Sequence, residues 1–414
     1  MLLFCAYYII FSLLVDDQLR FFAFTIDTIY LHWNVSFPAI TICEMFNGGK
    51  IWELSEKFYG ADRNSKLDDF LSDIAFFSGQ CHSCSLCGKN FECPTNFSVI
   101  SSKFRSSCDE MISNCLWNNV QIECCTSFLP LETEFGVCYT INSIHTTPMY
   151  GHRLLSSRSS GPGSLSFTTN EDVQVHVHTS NEVPSDTESD IKEDIFYGTE
   201  KELVLKVIDM VNDASIQDAS ITNRKCRFPW ETRECTNIPS HQYPMLYSQY
   251  SYSTCSVECS MEIQIELCNC THHLMPKRLN AANTCDIDGL ICLTNNFGKI
   301  NSKKKDCNCL ASCDEPEYSV LYSSPAKEDY RYEPGSLITI SMLELSKERL
   351  IRRVVKTMLD DVISIASIIS LMFGLSILST LDYLTKTIKL MLSAIMFLIR
   401  KKIIIQKKGN GHGK

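Results

Sequence analysis

The chain has 414 residues, a formal net charge of −10 and 22 cysteines. The length allows two domains or more, and the acidic balance argues against nucleic acid as a partner. Of the cysteines, 21 fall between Cys43 and Cys313. So many cysteines are rare in cytosolic proteins and are typical of disulfide frameworks in oxidising compartments.

The first segment, Met1–Val15, is an apolar run that is short for a membrane span. It lacks the basic region that opens a signal peptide, although a signal peptide or a short anchor is an alternative interpretation. We interpret it as the outer part of a first transmembrane helix whose beginning is missing. The charged and aromatic residues 16–24 that follow suit a membrane interface.

The cysteine-rich region carries two further signals of an oxidising compartment. Three N-x-S/T sequons predict glycosylation and agree with exposure to that compartment: Asn34, Asn96 and Asn269. Four closely spaced cysteines allow a zinc knuckle or an iron–sulfur site, but disulfides are favoured over metal in such a compartment: Cys81, Cys84, Cys87 and Cys93. We therefore expect neither a metal site nor a cofactor.

Histidines and acids in the middle of the chain have two interpretations each. Residues 173–178 alternate like a strand and place His176 and His178 on one face. We interpret these as ordinary surface histidines, with proton sensing as the alternative. Residues 182–202 hold eight acids and two lysines and favour a solvated loop, with a proton- or calcium-sensing cluster as the alternative. His272 and His273 are expected to pack within a loop.

A twenty-residue stretch without charge, Val362–Leu381, has about the length that a helix needs to cross ~30 Å of hydrocarbon. Three serines and a glycine fall within a stripe of about 120° on one face: Ser364, Ser367, Ser370 and Gly374. Such a stripe fits a helix that packs closely on copies of itself or lines water; a single-pass anchor is the alternative. Residues 400–414 contain six lysines and arginines and no acid, which places this end in the cytoplasm.

Four phrases, in chain order, carry a resemblance to a known family. They are FPAITIC at Phe37–Cys43, CTSFLPLETEFGVCYTIN at Cys125–Asn142, the cysteine-spaced stretch Tyr250–Pro276, and FGLSILSTLDYL at Phe373–Leu384. The chain resembles the epithelial sodium channel/degenerin superfamily, and RKCRFPWE at Arg224–Glu231 fits its invertebrate, pickpocket-like branch. The family's cytoplasmic His-Gly motif is missing, so we expect an N-terminally truncated member. No nucleophile elbow, phosphate loop or H-E-x-x-H occurs, so the sequence does not suggest an enzyme.

The resemblance implies a membrane protein of α+β class, in which two transmembrane helices flank a large disulfide-rich ectodomain with a central β core and peripheral helices. We expect a partial first span at 1–15, an extracellular domain at 16–355, a pore-lining span at 356–384 and a basic cytoplasmic tail at 385–414. Within the ectodomain, a helical region is expected around 60–120 and a thumb-like column of cysteines at 255–313. The implied assembly is a homo- or hetero-trimer in the plasma membrane, multi-pass and mostly extracellular, with Na⁺ as the permeant ion.

The resemblance also implies disulfide pairs. These are Cys43 with Cys138, Cys255 with Cys309, Cys259 with Cys307, Cys268 with Cys292, Cys270 with Cys285, Cys313 with Cys226 or Cys235, and Cys115 with Cys124 or Cys125. They leave seven ectodomain cysteines, of which at least one would stay free or pair between chains.

The resemblance further assigns roles in the pore. Gly374, Leu375 and Ser376 match the selectivity element, whose backbone carbonyls and hydroxyl suit sodium. Three acids would attract cations: Asp360, Asp361 and Asp382. Ile363 falls at the degenerin position, where bulk favours an open gate, and Ala366, Ser367 and Ser370 stand where the family commonly has glycine. The rival functions are a non-conducting regulatory or receptor-like membrane glycoprotein and a secreted cysteine-rich binding protein.

Overall fold

The computed structural model describes most of the chain as a series of ranges. They are 22–28, 34–60, 64–87, 93–146, 153–186, 191–231, 246–277, 284–314, 316–325, 327–328, 334–345, 348–355, 358–373 and 377–409. The chain divides into two compact units, one comprising 24–214 with 220–352 and the other 1–23, 215–219 and 353–414.

The helices of the described ranges lie mainly before and after the strand-rich middle of the chain. They are α1 (Gly48–Tyr59), α2 (Ser65–Ala75), α3 (Phe97–Phe104), α4 (Cys108–Met111), α5 (Cys124–Ser127), α6 (Ile221–Arg224), α7 (Tyr252–Cys268), α8 (Ile287–Lys304), α9 (Met358–Phe373) and α10 (Ile377–Gly409). Five of them follow an N-cap residue whose side chain accepts a hydrogen bond from a backbone amide of the first turn, and this cap fixes where the helix starts. The N-cap residues are Asn47, Asn64, Asn96, Ser251 and Asp286.

The strands form two large sheets and two short pairs. They are β1 (Phe22–Asp27), β2 (Val35–Ser36), β3 (Ala39–Phe46), β4 (Ile112–Trp117), β5 (Val120–Gln121), β6 (Leu129–Thr133), β7 (Gly136–Ile141), β8 (Leu155–Ser156), β9 (Ser164–Thr169), β10 (Asp172–His178), β11 (Ile191–Ile195), β12 (Thr199–Asn212), β13 (Cys226–Arg227), β14 (Ala311–Ser312), β15 (Glu317–Ser323), β16 (Lys327–Glu328), β17 (Ser336–Met342) and β18 (Arg349–Val354). The larger sheet runs β1-β18-β12-β17-β9-β4-β5, with β15 and β16 also paired to β12. The smaller sheet runs β11-β10-β3-β7-β6.

The main hydrophobic core contains residues of both sheets. Ile40 and Ile42 of β3 share it with Phe167 of β9 and Leu203 of β12. The rings of Phe128 and Phe167 meet edge to face at 5.5 Å, a favoured aromatic geometry. The apolar β-branched phrase at 37–43 is therefore a buried strand, and the expected central β core is present.

A second core lies among the helices. It contains Phe70 and Leu71 of α2, Phe104 of α3 and Leu290 and Leu293 of α8. The helices α1 to α4 lie within 48–111, so the helical region starts before the expected residue 60 and ends where β4 begins at Ile112. The fold is thus mixed α and β, with helices grouped around their own core.

The acidic stretch 182–202 is not the continuous loop that we expected. Ile191–Ile195 is a strand that pairs with β10, and β12 begins at Thr199. Along β12, exposed Glu200 and Glu202 alternate with buried residues such as Leu203, the pattern of a strand with one covered face. The many acidic residues thus made a strand, with alternating exposed and buried positions, look like a solvated loop in the sequence.

Candidate functional site

The expected pore segment consists of two helices on either side of the selectivity residues. Helix α9 has 16 residues, which at 1.5 Å per residue gives about 24 Å. Gly374, Leu375 and Ser376 lie outside the described residues, and α10 begins directly after them. Across the described ranges, no helix has both the length and the hydropathy of a membrane span.

The side chains of α9 that the structure describes are mostly accessible. Ile363 is 53% exposed, and Asp360, Ser367 and Ser370 are exposed, whereas Ser364 is partly buried. The Ser367 hydroxyl donates to the Ile363 carbonyl at 2.7 Å, the back-bonding that serine commonly makes inside helices. Asp361 belongs to α9, but its side chain lies outside the described part.

Helix α10 continues through most of the segment that we expected to be a tail, ending at Gly409. Every residue from 381 to 396 is exposed. Asp382 forms an ion pair with Lys386, one turn later, at 2.8 Å. The same stretch exposes large apolar side chains: Leu381, Tyr383, Leu384, Ile388, Leu390, Met391, Leu392, Ile395 and Met396. Contiguous exposed apolar surface of this kind marks a surface that lipid or another protein covers.

The column of cysteines is built on α7 and α8. Cys255 and Cys259 are four residues apart on α7 and bond to Cys309 and Cys307 beyond the end of α8, because residues at this spacing share a helix face. Two further bonds join the other end of α7 to α8 and its approach: Cys268 with Cys292 and Cys270 with Cys285. Beyond Cys309, the Tyr250 hydroxyl donates to the Leu310 carbonyl at 2.7 Å.

The remaining disulfides tie neighbouring segments together. Cys43 of β3 bonds to Cys138 of β7, and Cys226 bonds to Cys313, which are pairs that the resemblance implied. Cys115 bonds to Cys124, so Cys125 is not its partner and instead bonds to Cys108. The four closely spaced cysteines form two bonds, Cys81 with Cys84 and Cys87 with Cys93. Cys5 and Cys235 lie outside the described residues.

The interpretation of His176 and His178 as surface residues is wrong. Both are buried, at 0% and 5% exposure. His176 stacks on Phe135 at 5.6 Å, and neither of its ring nitrogens has a hydrogen-bond partner within the described ranges. Both ring nitrogens of His178 are paired, at 2.8 Å with the Thr41 hydroxyl and at 2.8 Å with the Thr179 carbonyl. Burial lowers the pKa of His176 to about 3 and that of His178 to about 4, so both are neutral near pH 7.

His272 and His273 pack within a loop, as expected. The Phe77 ring lies 5.1 Å from that of His272, and His273 Nε2 pairs with the Ile74 carbonyl at 2.7 Å. Burial also lowers the pKa of both histidines. Within the described residues, no group of three or more His, Cys, Asp or Glu side chains is arranged to hold a metal ion.

The three sequons lie at accessible positions. Asn34, Asn96 and Asn269 are all exposed. Asn96 caps α3 by accepting from the Val99 amide, and Asn269 ends α7 in the left-handed conformation. Glycosylation modifies the amide nitrogen, so the capping oxygen of Asn96 stays available; all three sites stay predictions.

An ion pair at RKCRFPWE was not foreseen from the sequence. Buried Arg224 pairs with Glu231 and lies 4.9 Å over the Phe228 ring, which stacks on Trp230 at 4.8 Å. The signal available in the sequence was a pair of opposite charges flanking a Cys-x-Phe-x-Trp phrase. The arrangement fixes this turn next to the Cys226–Cys313 bond.

Comparisons with known proteins found a matching family and several relatives. A family model described as amiloride-sensitive sodium channel matches residues 1–384. "Sodium channel protein Nach" of Drosophila melanogaster is 24% identical over 319 residues, covering 67% of this chain and 58% of that protein. "Epithelial sodium channel subunit beta" of Aquarana catesbeiana is 27% identical over 129 residues, covering 28% of this chain and 47% of that protein.

The chain spans somewhat over half the length of the curated relatives that it matches, with 58% of the Drosophila virilis Nach protein covered. Among solved structures, a chain titled "Cryo-EM structure of a proton-activated chloride channel" aligns with 94% of this chain and 95% of its own at 6% identity, with a TM-score of 0.28.

Proposed function

The chain belongs to the amiloride-sensitive sodium channel family, which is a family of ion channels and not of enzymes, and from this premise we propose that it is a subunit of a trimeric, sodium-selective, amiloride-sensitive cation channel in the plasma membrane. The observation that carries the proposal is the family match over residues 1–384, which includes the expected filter. The uncovered apolar surface of α10 supports it, since lipid and neighbouring subunits would cover that surface.

In this proposal, the segment 356–384 crosses the membrane and lines the pore, and 1–15 is part of the first span. Gly374, Leu375 and Ser376 would form the filter. Backbone carbonyls, together with a serine hydroxyl, are hard oxygen ligands that can replace the water around Na⁺. Three copies of Asp360 and Asp361 at the outer end would raise the local cation concentration.

The disulfide-bonded α7–α8 column would transmit events in the ectodomain to the membrane. Four bonds hold the two helices and their flanking segments, and bonds at both ends limit how far α7 and α8 slide past each other. A stiff element of this kind passes on force or ligand binding with little loss to internal deformation.

The large side chain of Ile363 leads to a proposal about gating. Its side chain is 53% exposed on α9, at the position where the family usually has a small residue. We expect Ile363 to bias the channel towards opening, and Ile363→Ala to lower the open probability in single-channel records. An unchanged open probability would contradict this proposal while leaving the channel assignment intact. Ser364→Ala is the control, because it alters the neighbouring residue without removing bulk at this position.

The test of the channel function is whole-cell current in oocytes that express the chain, alone and with a related subunit. We expect an inward current that amiloride blocks and that disappears when a large organic cation replaces sodium. Surface biotinylation of the same cells controls for delivery to the membrane. A surface-exposed chain that adds no current and leaves the partner's current unchanged would contradict the proposal. A chain that conducts nothing alone but changes the partner's current would identify it as a non-conducting regulatory subunit.

A further inference from the structure

A cavity of about 310 Å³ lies where the α7–α8 column meets the smaller sheet. We call it the junction cavity. Its lining comes from α8, from α7 and the loop after it, from the segments after α2 and α3, from strands β3, β10 and β11, from the turn between β6 and β7, and from Asp186. The volume is at the lower end of the range for small-molecule pockets, about 300–1,000 Å³. The cavity is unrelated to the expected pore residues, none of which line it.

The walls of the junction cavity are largely aromatic and aliphatic. Leu293, Phe297 and Ile300 present one face of α8 to it, and Phe76, Phe77 and Phe135 face it from other segments. Gly79 has a φ of +96°, and a Cβ there would lie 2.7 Å from the Phe297 ring. Glycine at this position is what allows the chain after α2 to approach α8 so closely.

The charged groups that line the cavity balance. Its three carboxylates, Glu44, Glu134 and Asp186, match its three cations, Arg105, Lys192 and Lys304. The pairs are Glu134 with Lys304 at 3.1 Å, Asp186 with Lys192 at 3.5 Å and Glu44 with Arg105 at 4.0 Å. His272 is also neutral near pH 7, since burial lowers its pKa. A cavity with balanced charge gives a simple ion no net attraction.

The lining nevertheless keeps hydrogen-bonding capacity that the protein itself does not use. Ser260 Oγ and His272 Nδ1 are buried and have no hydrogen-bond partner among the described residues. Arg105 Nε also makes no hydrogen bond there, since its ion-pair contact with Glu44 Oε2 is at 4.0 Å. Unpartnered buried polar atoms are rare in native proteins, so each calls for a ligand, a water molecule or a functional reason. Arg105 Nε is a donor, and a carbonyl or hydroxyl oxygen would complement it.

We propose that the junction cavity binds a small, uncharged, ring-containing compound with one or two oxygen acceptors. The aromatic walls would hold the ring, and the unpartnered groups of Arg105, Ser260 and His272 would receive the oxygen. The paired Lys192 and Asp186 side chains, 40% and 58% exposed, mark the mouth through which such a compound enters. A bound compound would touch both α8 and β3, so it would be placed to act on the column.

The probe for the test is benzophenone, an uncharged diaryl ketone that inserts into neighbouring C–H bonds when irradiated. The full chain in detergent is irradiated with increasing concentrations of it, and labelled peptides are mapped by mass spectrometry. We expect saturable labelling of the segments 76–79 and 293–301. Labelling that does not saturate, or that falls elsewhere, would overturn the proposal. The readout needs no current, so it is independent of whether the chain conducts.

Two tryptophan substitutions on α8 form a matched pair. Asn301 lines the cavity, and neighbouring Ser302 is exposed and does not. Asn301→Trp should weaken saturable labelling about tenfold, the factor that corresponds to 1.4 kcal/mol of binding free energy, whereas Ser302→Trp should leave it unchanged. Equal labelling in both variants would overturn the proposal. Non-reducing peptide maps of both variants verify that the disulfides have formed.

A charged competitor tests the ligand class. Benzoylbenzoate has the same ring system and adds a carboxylate, so entering a charge-balanced, largely apolar cavity would cost it hydration without an unpaired cation in return. In this experiment the benzophenone probe carries an isotope label, and competitors carry none. We expect benzoylbenzoate to reduce labelling by the probe about tenfold less effectively than ordinary benzophenone does. Competition as strong as that of benzophenone would overturn the assignment to uncharged compounds.

Discussion

Two regions of the molecule achieve their structure in different ways. The disulfide-bonded body, residues 24–214 and 220–352, has its own hydrophobic cores and ten disulfides. The helical pair, α9 and α10, contains no cysteine, and α10 exposes each of its residues from 381 to 396. The body buries apolar side chains in its own cores, whereas the described part of α10 leaves its large apolar side chains exposed.

The difference teaches where each region obtains its stability. Burial of apolar surface is worth about 25 cal/mol per Å² wherever it occurs, and the body gains it internally. For α10 the same free energy is available only when lipid or another subunit covers its apolar side chains. Mutations should therefore change the body's own unfolding, and changes in the helical pair should appear in conduction and assembly.

The largest expected effect on stability is the loss of the disulfide that closes the longest loop among the described bonds. Cys43 and Cys138 are 95 residues apart, and opening a loop of about that length costs about 4–5 kcal/mol in the chain-entropy model. The double variant Cys43→Ala/Cys138→Ala should lower the midpoint of thermal unfolding of the full chain in detergent. It should also reduce delivery to the cell surface.

A shorter loop provides the matched control. Cys87 and Cys93 are only 6 residues apart, so removing their bond should cost about 2 kcal/mol. Equal loss of stability in both double variants would show that loop closure is not what the Cys43–Cys138 bond contributes.

The sequence predicted most disulfide pairs of the body well, but it predicted poorly which residues of the body are buried. The family resemblance implied the column pairs. The alternation in 173–178 predicted the strand β10, but alternation implies that only one face of the strand is buried. Residues 175–178 are buried on both faces of the strand, because other segments cover each side. The partner of Cys115 could not be chosen between the adjacent Cys124 and Cys125 without coordinates.

The junction cavity and the pore segment also differ in how far the sequence alone predicts them. The junction cavity collects residues from ten separate stretches of the chain, and no local pattern brings Arg105 near Ser260 or His272. The pore segment, by contrast, is continuous in sequence, so its charge-free length and small residues were readable directly. Its filter residues lie outside the described part, so their roles stay predictions.

Replacing the histidines of β10 should have a smaller effect on the free energy of unfolding, and the sign of this effect should differ between His176 and His178. His178→Phe removes one of two partners of the Thr179 carbonyl, which keeps the Glu182 amide, and one partner of the Thr41 hydroxyl, so it should destabilise the body by about 1 kcal/mol at pH 7.5. His176→Phe replaces two nitrogens that have no partner among the described residues and keeps the stacking on Phe135, so it should be neutral or stabilising. Thermal unfolding of the full chain measures both.

The pH dependence sharpens this comparison. The pKa of each histidine is lower in the folded state, about 3 for His176 and about 4 for His178, so below about pH 6.5 the unfolded chain binds protons that the folded chain excludes. Stability should therefore fall as the pH drops from about 6.5 towards 4. His176→Phe should lose less stability than the unaltered chain between pH 7.5 and pH 5. A steeper loss in this variant would contradict the role given to burial.

The smallest effect on stability should come from the helical pair, where the effect on function should be largest. Asp382 and Lys386 form an exposed pair, at 62% and 67% exposure of Asp382 and Lys386 respectively, and such pairs contribute about 0.3–0.5 kcal/mol. Asp382→Asn and Lys386→Gln break the same pair, so both should leave thermal unfolding nearly unchanged. Only Asp382→Asn removes a negative charge from the inner side of the proposed filter, so only it should lower single-channel sodium conductance. Equal conductance changes in the two variants would mean that Asp382 acts through the ion pair on α10 and not as a cation-attracting acid in the pore.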